Sequence, residues 1–234
     1  MERIKKKELI YAFKKTLPIL FSYLFLSMAF GIMMKQAKLS FIWAYLISAT
    51  IYTGAFQFVI VPFLSSGANV LTVVLTAIAM NSRHIFYGFT FVEEFKKMGK
   101  RYLYMIFSLT DETYSLDCSL NVPDDINRED ILFYIALFSR IYWLIGTSVG
   151  ALLGRIIPFD FEGIDFCMTA LFITIFVDQW RNTKNHIPAI IGLVSSLLFM
   201  FICGKDSFIL PALMLSTALL MIFRKNIDEG RKYI

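Results

Sequence analysis

Long apolar runs without charged side chains restrict the fold of this chain more than any other feature of its sequence. The first of them, Thr16 to Met34, contains 19 residues and no charge. A helix of about 20 apolar residues crosses the hydrocarbon core of a bilayer. Continuous rather than alternating apolar runs favour helices over a barrel, because a helix satisfies its own backbone polar groups in lipid. We therefore expect an all-α, polytopic transmembrane helical bundle.

Eight segments of this type divide the chain. Besides Thr16 to Met34, the long runs are Leu39 to Leu64, Ile131 to Gly154, Ile187 to Gly204 and Ser207 to Phe223. Three further segments are short or carry charges: Val70 to Val92, Tyr102 to Leu116 and Phe166 to Val177. We expect six full spans plus two interrupted or re-entrant helical segments, 70–92 and 102–116, or eight spans if both of these cross.

Basic residues lie at the segment ends, where they indicate orientation. Cytoplasmic loops carry an excess of Lys and Arg. The dense basic groups are the N-terminus (1–15), the loop Lys96 to Arg101, the pair Arg181 and Lys184, and the tail 224–234. All four are cytoplasmic if 70–92 and 102–116 are re-entrant, whereas the loop Lys96 to Arg101 is forced outward if both cross. We favour the first arrangement, with both termini cytoplasmic.

Composition excludes several classes of protein. The chain is 57% hydrophobic and only 18% charged, far from the roughly 25% charged residues of soluble domains. A soluble enzyme and a secreted disulfide scaffold are therefore excluded, and residues 1–234 are expected to form a single membrane-embedded domain. The three cysteines show no CxxC spacing and are interpreted as packing residues. We expect no nucleic-acid partner, no metal and no cofactor.

Three glycines in the run Ile131 to Gly154 predict close helix packing. Gly146, Gly150 and Gly154 follow each other at intervals of four, so they share one helix face and permit a neighbouring helix to approach closely. The same stretch matches the G-x-S-x-G pattern of serine hydrolases around Ser148, which makes an intramembrane hydrolase an alternative. That motif requires a strand-to-helix turn, so packing is the favoured interpretation.

The charged interruptions are the strongest candidates for chemistry, because an ionised side chain at membrane depth needs a partner or a polar cavity. Arg83 lies within Asn81-Ser82-Arg83-His84, and Asp111 with Glu112 interrupts the next segment. An ion pair between Arg83 and one of these carboxylates would account for both. The alternatives are an Arg83 that reaches an interface and acidic residues that end a short helix. Arg140 is a further candidate, with a structural pair to an acidic loop or a lipid phosphate as its alternative.

Small and polar residues interrupt the run Leu39 to Leu64. Gly54 and Pro62 mark a position where a membrane helix can unwind, and Gln57 is a polar residue between them. Two interrupted segments facing one cavity are typical of secondary transporters, which hold a zwitterion at half-helix ends and exposed carbonyls. Ordinary packing of small polar residues is the alternative for Gly54.

At these residues the sequence resembles the AzlC family, the large subunit of branched-chain amino acid exporters. The resemblance covers roughly Thr16 to Phe223. It rests on Ser48 followed by Thr53-Gly54-Ala55-Phe56-Gln57-Phe58, on Asn81-Ser82-Arg83-His84 followed by Tyr87, on Leu109-Thr110-Asp111-Glu112, and on a looser match at Gly163-Ile164-Asp165-Phe166.

The resemblance implies export of branched-chain amino acids across a bacterial inner membrane, jointly with a small membrane subunit of the AzlD type. We expect Arg83 and Asn81 to bind the substrate carboxylate, and Gln57 with the Gly54 backbone to make polar contacts. Asp111 or Glu112 is then expected to hold the ammonium group or to carry a proton. A channel or transporter for another small amphipathic solute is the alternative to this permease function.

Overall fold

A computed structural model describes residues 2–123, 126–156, 185–204 and 208–223, with the single positions 173, 176, 177, 180 and 181. Contacts divide the chain into two compact units, one of Met1–Ser66 with Asn81–Ile164 and one of Gly67–Met80 with Asp165–Ile234. The helical fold class is confirmed, since helices are the regular elements of the described residues. Most of the predicted span Phe166 to Val177, the motif around Asp165 and the tail 224–234 lie outside the described residues.

Ten α-helices and one 3-10 turn make up the described elements. In chain order they are α1 (Glu2–Gln36), α2 (Phe41–Thr50), α3 (Ala55–Ser66), α4 (Val70–Asn81), α5 (Arg83–Lys96), the 3-10 turn Gly99–Arg101, α6 (Tyr102–Phe107), α7 (Asp111–Cys118), α8 (Arg128–Ile156), α9 (Ile187–Cys203) and α10 (Ile209–Ile222).

Two of these helices, α1 and α8, are long and apolar enough to cross a membrane, through Lys6–Gln36 and Arg128–Gly154. Helices α4 and α5 reach the length and hydropathy of a span only together, and the 48° bend between them fits either one broken span or a re-entrant segment. Helices α2, α3, α9 and α10 are apolar but shorter. The number of spans in the whole chain stays a prediction.

Helices α1 and α8 form the frame of the first unit, and they run parallel. A carboxylate oxygen of Glu8 accepts a hydrogen bond from the backbone of Asn127, just before α8 begins. One end of the frame is thus defined by the N-terminal ends of both helices. Further along, Thr16 Oγ1 lies 3.2 Å from the Tyr142 hydroxyl. We call the end at Glu8 and Asn127 the basal end of the unit and the end at Gln36 and Gly154 the distal end.

The glycines of α8 lie against α1 over this frame. A Cβ added to Gly146 would overlap Ser27 Oγ, and one added to Gly150 would overlap the backbone of Met28. Gly154 has slightly more room, since its added Cβ would meet Lys35 at 3.2 Å. Gly31 of α1 is enclosed in the same way, since a Cβ added to it would overlap the backbone of α8. The absence of side chains therefore allows the two backbones to touch.

Helices α2 and α3 form a hairpin that enters the unit from the distal end, and we call it the first hairpin. Helix α2 follows α1 directly and brings Ser48 to Thr147 of α8, with 2.9 Å between their hydroxyl oxygens. The chain then reverses, because Gln57 of α3 returns to Ser48 and Phe58 packs on Phe30 of α1 at 5.8 Å between ring centroids. The turn of this hairpin, residues 51–54, lies inside the unit.

Helices α6 and α7 form the second hairpin, which enters from the basal end. At its start Arg101 pairs with Asp130 in the first turn of α8. Its turn, residues 108–110, reaches Tyr23 of α1, where Thr110 Oγ1 lies 2.6 Å from the Tyr23 hydroxyl. Helix α7 then returns to the basal end. There the Arg128 guanidinium, at the start of α8, donates hydrogen bonds to the backbone carbonyl oxygens of Asp117 and Leu120.

One expectation from the sequence needs correction: the run Leu39 to Leu64 is not one continuous spanning helix. Helices α2 and α3 contain 10 and 12 residues. At 1.5 Å per residue each is about 15 to 18 Å long, roughly half of the hydrocarbon thickness. The chain reverses where Tyr52 and Gly54 have φ angles of 21° and 59°. Run length cannot distinguish one crossing helix from two half-length helices, because both are equally apolar.

The second unit contains α4, α9 and α10 among its described elements. Helices α9 and α10 pack against each other and follow in sequence. Much of the apolar surface of α9 is exposed, including Leu193, Val194 and Phe201. An exposed apolar helix surface of this kind suits contact with lipid or with another membrane helix.

The contact between α1 and α8 predicts the effect of a methyl group at Gly150. We expect Gly150→Ala to lower the free energy of unfolding by about 1–3 kcal/mol, the usual cost of overpacking, because its Cβ would overlap the Met28 backbone. The measurement is unfolding of the full chain in mixed micelles by added SDS. Gly88→Ala is the matched control, since a Cβ there meets nothing within 4 Å. Equal stability of the two variants would contradict the described packing.

Candidate functional site

The turn of the first hairpin exposes backbone in the interior of the unit. Tyr52 and Gly54 both have positive φ angles, which a helix does not allow. A Cβ at position 54 would meet nothing within 4 Å, so packing does not explain the glycine there. The positive φ angle does, because residues with a side chain rarely adopt it. The side chains of Tyr52 and Thr53 each carry a buried oxygen atom without a hydrogen-bond partner among the described residues. The predicted unwinding at Gly54 therefore lies beside unsatisfied polar atoms.

Gln57 belongs to a buried chain of polar side chains that joins the first hairpin to α8. Its amide nitrogen donates to Ser48 Oγ at 3.1 Å, and Ser48 in turn contacts Thr147. All three side chains are fully buried. The amide oxygen of Gln57 has no partner in the described part of the chain. Gln57 thus keeps one acceptor that could bind an N–H group of a ligand.

The turn of the second hairpin ends in a well-formed helix cap. Thr110 is the N-cap of α7, and it exchanges hydrogen bonds with Thr113 in a capping box. Asp111 and Glu112 occupy the first turn of α7. Negative charge is stabilised there, because the free N–H groups and the dipole of a helix make its N-terminus positive. Both carboxylates therefore lie at the N-terminus of α7, where the helix end stabilises negative charge inside the unit.

The two carboxylates take different partners. Asp111 Oδ2 lies 2.9 Å from Arg83 Nη1, at the break between α4 and α5. Glu112 instead accepts a hydrogen bond of 2.8 Å from the hydroxyl of Tyr23 on α1. The residues Arg83 and Asp111, considered together from the sequence, are thus brought into one ion pair, while Glu112 lies apart from it.

The Arg83–Asp111 pair does not use all of its hydrogen-bonding atoms. Among the buried atoms without a described partner are Arg83 Nε, Asp111 Oδ1 and, two residues before Arg83, Asn81 Oδ1. The pair therefore retains one donor and one acceptor, and Asn81 adds a second acceptor. Both charged side chains are about one-third exposed, while the three atoms without a described partner are buried beside them.

Arg140 of α8 lies between the two hairpin turns. It donates to the carbonyl oxygen of Ala49, next to the first turn. Its guanidinium also lies 5.4 Å from the ring centroid of Tyr52, and 5.7 and 4.7 Å from those of Tyr104 and Phe107 on α6. The alternative of a structural pair with an acidic loop is not seen among the described residues, since these partners are a carbonyl and three aromatic rings.

Several residues of this region were not singled out from the sequence. Tyr23 and Trp143 pack edge to face at 5.1 Å, and Trp143 also contacts the Tyr52 ring. Together with Thr110 they connect the two hairpin turns to the α1 and α8 frame. Aromatic residues are abundant along this chain, so sequence position alone did not distinguish Tyr23 and Trp143. We call the region of the hairpin turns, Arg83 and Arg140 the polar layer.

The hydrolase alternative finds no support in the geometry of Ser148. This residue lies within α8, and its hydroxyl donates to the carbonyl oxygen of Leu144 at 2.8 Å, one turn earlier in the helix. A nucleophile elbow needs a turn between a strand and a helix. The glycines on either side serve the contact with α1 described above.

Comparison with known proteins agrees with the motifs that cluster in the polar layer. The family model described as AzlC protein matches residues 18–157, which include every residue of that layer. The branched-chain amino acid transport protein AzlC of Bacillus subtilis is 35% identical over 219 residues, covering 94% of this chain and 86% of that protein.

An uncharacterized membrane protein of Helicobacter pylori is 36% identical over 218 residues, which cover 93% of this chain and 95% of the relative. The inner membrane protein YgaZ of Escherichia coli is 29% identical over 181 residues, covering 74% and 73% of the two chains. No solved structure matches. Since the family match spans more than half of the chain and the B. subtilis relative aligns over nearly all of it, this chain belongs to the AzlC family.

Proposed function

We propose that this chain is the large subunit of a secondary transporter that exports branched-chain amino acids across the cytoplasmic membrane. It works jointly with a small AzlD-type membrane subunit and is not an enzyme. The name of the B. subtilis relative supports the substrate class. The observation that carries the proposal is the Arg83–Asp111 ion pair between two helix breaks, with an unsatisfied donor and acceptor beside it. A donor and an acceptor of opposite charge suit a zwitterion.

The polar layer supplies the substrate contacts in this proposal. The substrate carboxylate approaches the free Nε of Arg83 and the neighbourhood of Asn81, while the Gly54 backbone and Gln57 make neutral polar contacts. Asp111 or Glu112 holds the ammonium group or carries a proton. Discontinuous helices that meet within the membrane are the usual means by which secondary transporters form such a site. The apolar substrate side chain finds aromatic neighbours in Tyr52 and Trp143.

We further propose that the basal end of the first unit faces the cytoplasm. The basic N-terminus lies at this end because Glu8 binds Asn127. The loop Lys96 to Arg101 lies there too, because Glu94 pairs with Arg128 and Arg101 pairs with Asp130. The first hairpin then opens outward and the second hairpin opens inward. The chain between Ser66 and Lys96 crosses the membrane, as one broken span. This arrangement keeps six spans and two re-entrant segments, but 39–64 and not 70–92 is re-entrant.

Efflux from cells tests the transport function. Cells that express this chain and its small partner are loaded with a leucine-containing dipeptide, and release of free leucine is measured. We expect release to need both chains and to fall about 10-fold or more in Arg83→Gln, because a charge-assisted hydrogen bond contributes about 1.5–3 kcal/mol. Lys96→Gln is the matched control, since its pair with Glu93 is exposed and contributes little.

The control variant is expected to release leucine at the wild-type rate. Normal efflux in Arg83→Gln at wild-type abundance in the membrane would exclude Arg83 from the site. Absence of leucine release with both wild-type chains present would contradict the transport function itself.

Cysteine labelling tests the orientation of the basal end. Lys100→Cys in a background without the native cysteines is expected to react with an impermeant maleimide from the cytoplasmic side only. Removal of the native cysteines is needed because Cys118 and Cys203 are exposed. Ser66→Cys, an exposed position at the end of the first hairpin, is the matched variant and is expected to react from the outside. Labelling of both positions from the same side would contradict the proposed path of the chain.

A further inference from the structure

The two hairpin turns meet at Arg140, which contacts both. Its guanidinium binds the Ala49 carbonyl and the Tyr52 ring on the first hairpin, and it lies over the Phe107 ring at the end of α6 on the second. A guanidinium has five N–H donors. One of them donates to the Ala49 carbonyl oxygen, and no other acceptor for this guanidinium lies among the described residues.

Glu112 is the negative counterpart of Arg140 in this region. Its described hydrogen-bond partner is the Tyr23 hydroxyl, a neutral group, while its neighbour Asp111 neutralises Arg83. Consecutive residues of a helix point in directions about 100° apart. Asp111 therefore faces α5, and Glu112 faces α1. Within the described residues, Glu112 and Arg140 are the acidic and the basic side chain of the polar layer whose hydrogen-bond and ring contacts are with neutral groups.

Tyr52 lies between Arg140 and the residues that contact Glu112. Its ring centroid lies 5.4 Å from the Arg140 guanidinium and 6.5 Å from the Trp143 ring, which packs on Tyr23, the hydrogen-bond partner of Glu112. Tyr52 and Trp143 are buried, and in the described part of the chain neither the Tyr52 hydroxyl nor Trp143 Nε1 has a partner at normal hydrogen-bond geometry. A buried polar atom without a partner costs about 1–3 kcal/mol. Two such atoms beside Arg140 and Glu112, whose described contacts are neutral, suit the binding of a polar molecule at this position.

We propose that a zwitterionic α-amino acid binds between the two hairpin turns, with its carboxylate on Arg140 and its ammonium group on Glu112. This inference rests on the proposed transport function and assigns Arg140 a role in it. The planar guanidinium suits a carboxylate because it can donate two parallel hydrogen bonds. The amino acid supplies both missing charges at once, whereas an anion or a cation alone would leave one uncompensated.

The position at Arg140 is distinct from the ion pair of Arg83 and Asp111. The two lie on either side of the α7 N-terminus, since Glu112 serves one and Asp111 the other. Among the residues that the structure describes, Arg83 is neutralised by Asp111, whereas Arg140 contacts a carbonyl oxygen and aromatic rings. A substrate bound at Arg140 therefore need not separate an ion pair first, and Arg83 offers a second position along the same path.

Ligands that lack one charge test the assignment. Binding is measured by calorimetry on the full chain, purified with its small partner, using leucine, 3-methylbutylamine and 4-methylpentanoate. The wild type is expected to bind leucine at least about 10-fold more tightly than either analogue. Arg140→Gln is expected to bind leucine no more tightly than 3-methylbutylamine, because the carboxylate has lost its partner. Glu112→Gln is expected to bind leucine no more tightly than 4-methylpentanoate.

Two further variants separate a specific role from damage to the fold. Arg140→Lys keeps the positive charge and is expected to retain a preference for leucine over 3-methylbutylamine. Arg101→Gln removes an arginine of the basal end and is expected to bind like the wild type. If Arg140→Gln does not fold, the loss of preference in Glu112→Gln decides the test by itself.

The possible failures are distinguishable. A wild-type chain that binds leucine, together with Arg140→Gln and Glu112→Gln variants that keep the wild-type preference, would overturn this assignment and leave the proposed function standing. A wild-type chain that binds none of the branched-chain amino acids would overturn the proposed function, and this assignment with it.

Discussion

Backbone polar groups inside a membrane have no water to bind, so every helix break in this chain must be satisfied by the protein itself. Helices α1 and α8 supply most of what is needed. They lie in contact because Gly146 and Gly150 leave room for the α1 backbone. From this frame Thr147, Arg140 and Tyr23 reach the turns of the two hairpins. The polar layer depends on the frame, because looser packing of α1 and α8 would withdraw these partners.

The charged side chains of the polar layer, like its backbone breaks, depend on partners within the protein. Asp111 and Glu112 are adjacent in sequence, and the N-terminus of α7 stabilises both. Asp111 neutralises Arg83, whereas Glu112 and Arg140 contact neutral groups. A region that combines one closed ion pair with one open pair of charges is suited to accept a zwitterion and to release it again. The proposed transport needs both properties, since a site that binds its substrate too tightly cannot deliver it.

Sequence reasoning found the positions of the helix breaks but not the path of the chain through them. Gly54, Asn81 to Arg83 and Asp111 were recognised because glycine, amide and charged residues interrupt apolar runs. The reversal of the chain at Tyr52 was missed, since two half-length helices and one crossing helix have the same hydropathy. Tyr23 and Trp143 were missed for a related reason. Their importance comes from contacts between residues distant in sequence, which no local pattern contains.

We propose that the polar layer carries an amino acid through the membrane by alternating access. Counterflow in proteoliposomes that contain this chain and its small partner tests it most directly. Vesicles are loaded with unlabelled leucine, and the uptake of labelled leucine from outside is followed. The account predicts saturable uptake that rises transiently above the equilibrium level and requires the internal leucine. Uptake that is unsaturable and indifferent to internal leucine would contradict it and would indicate a channel.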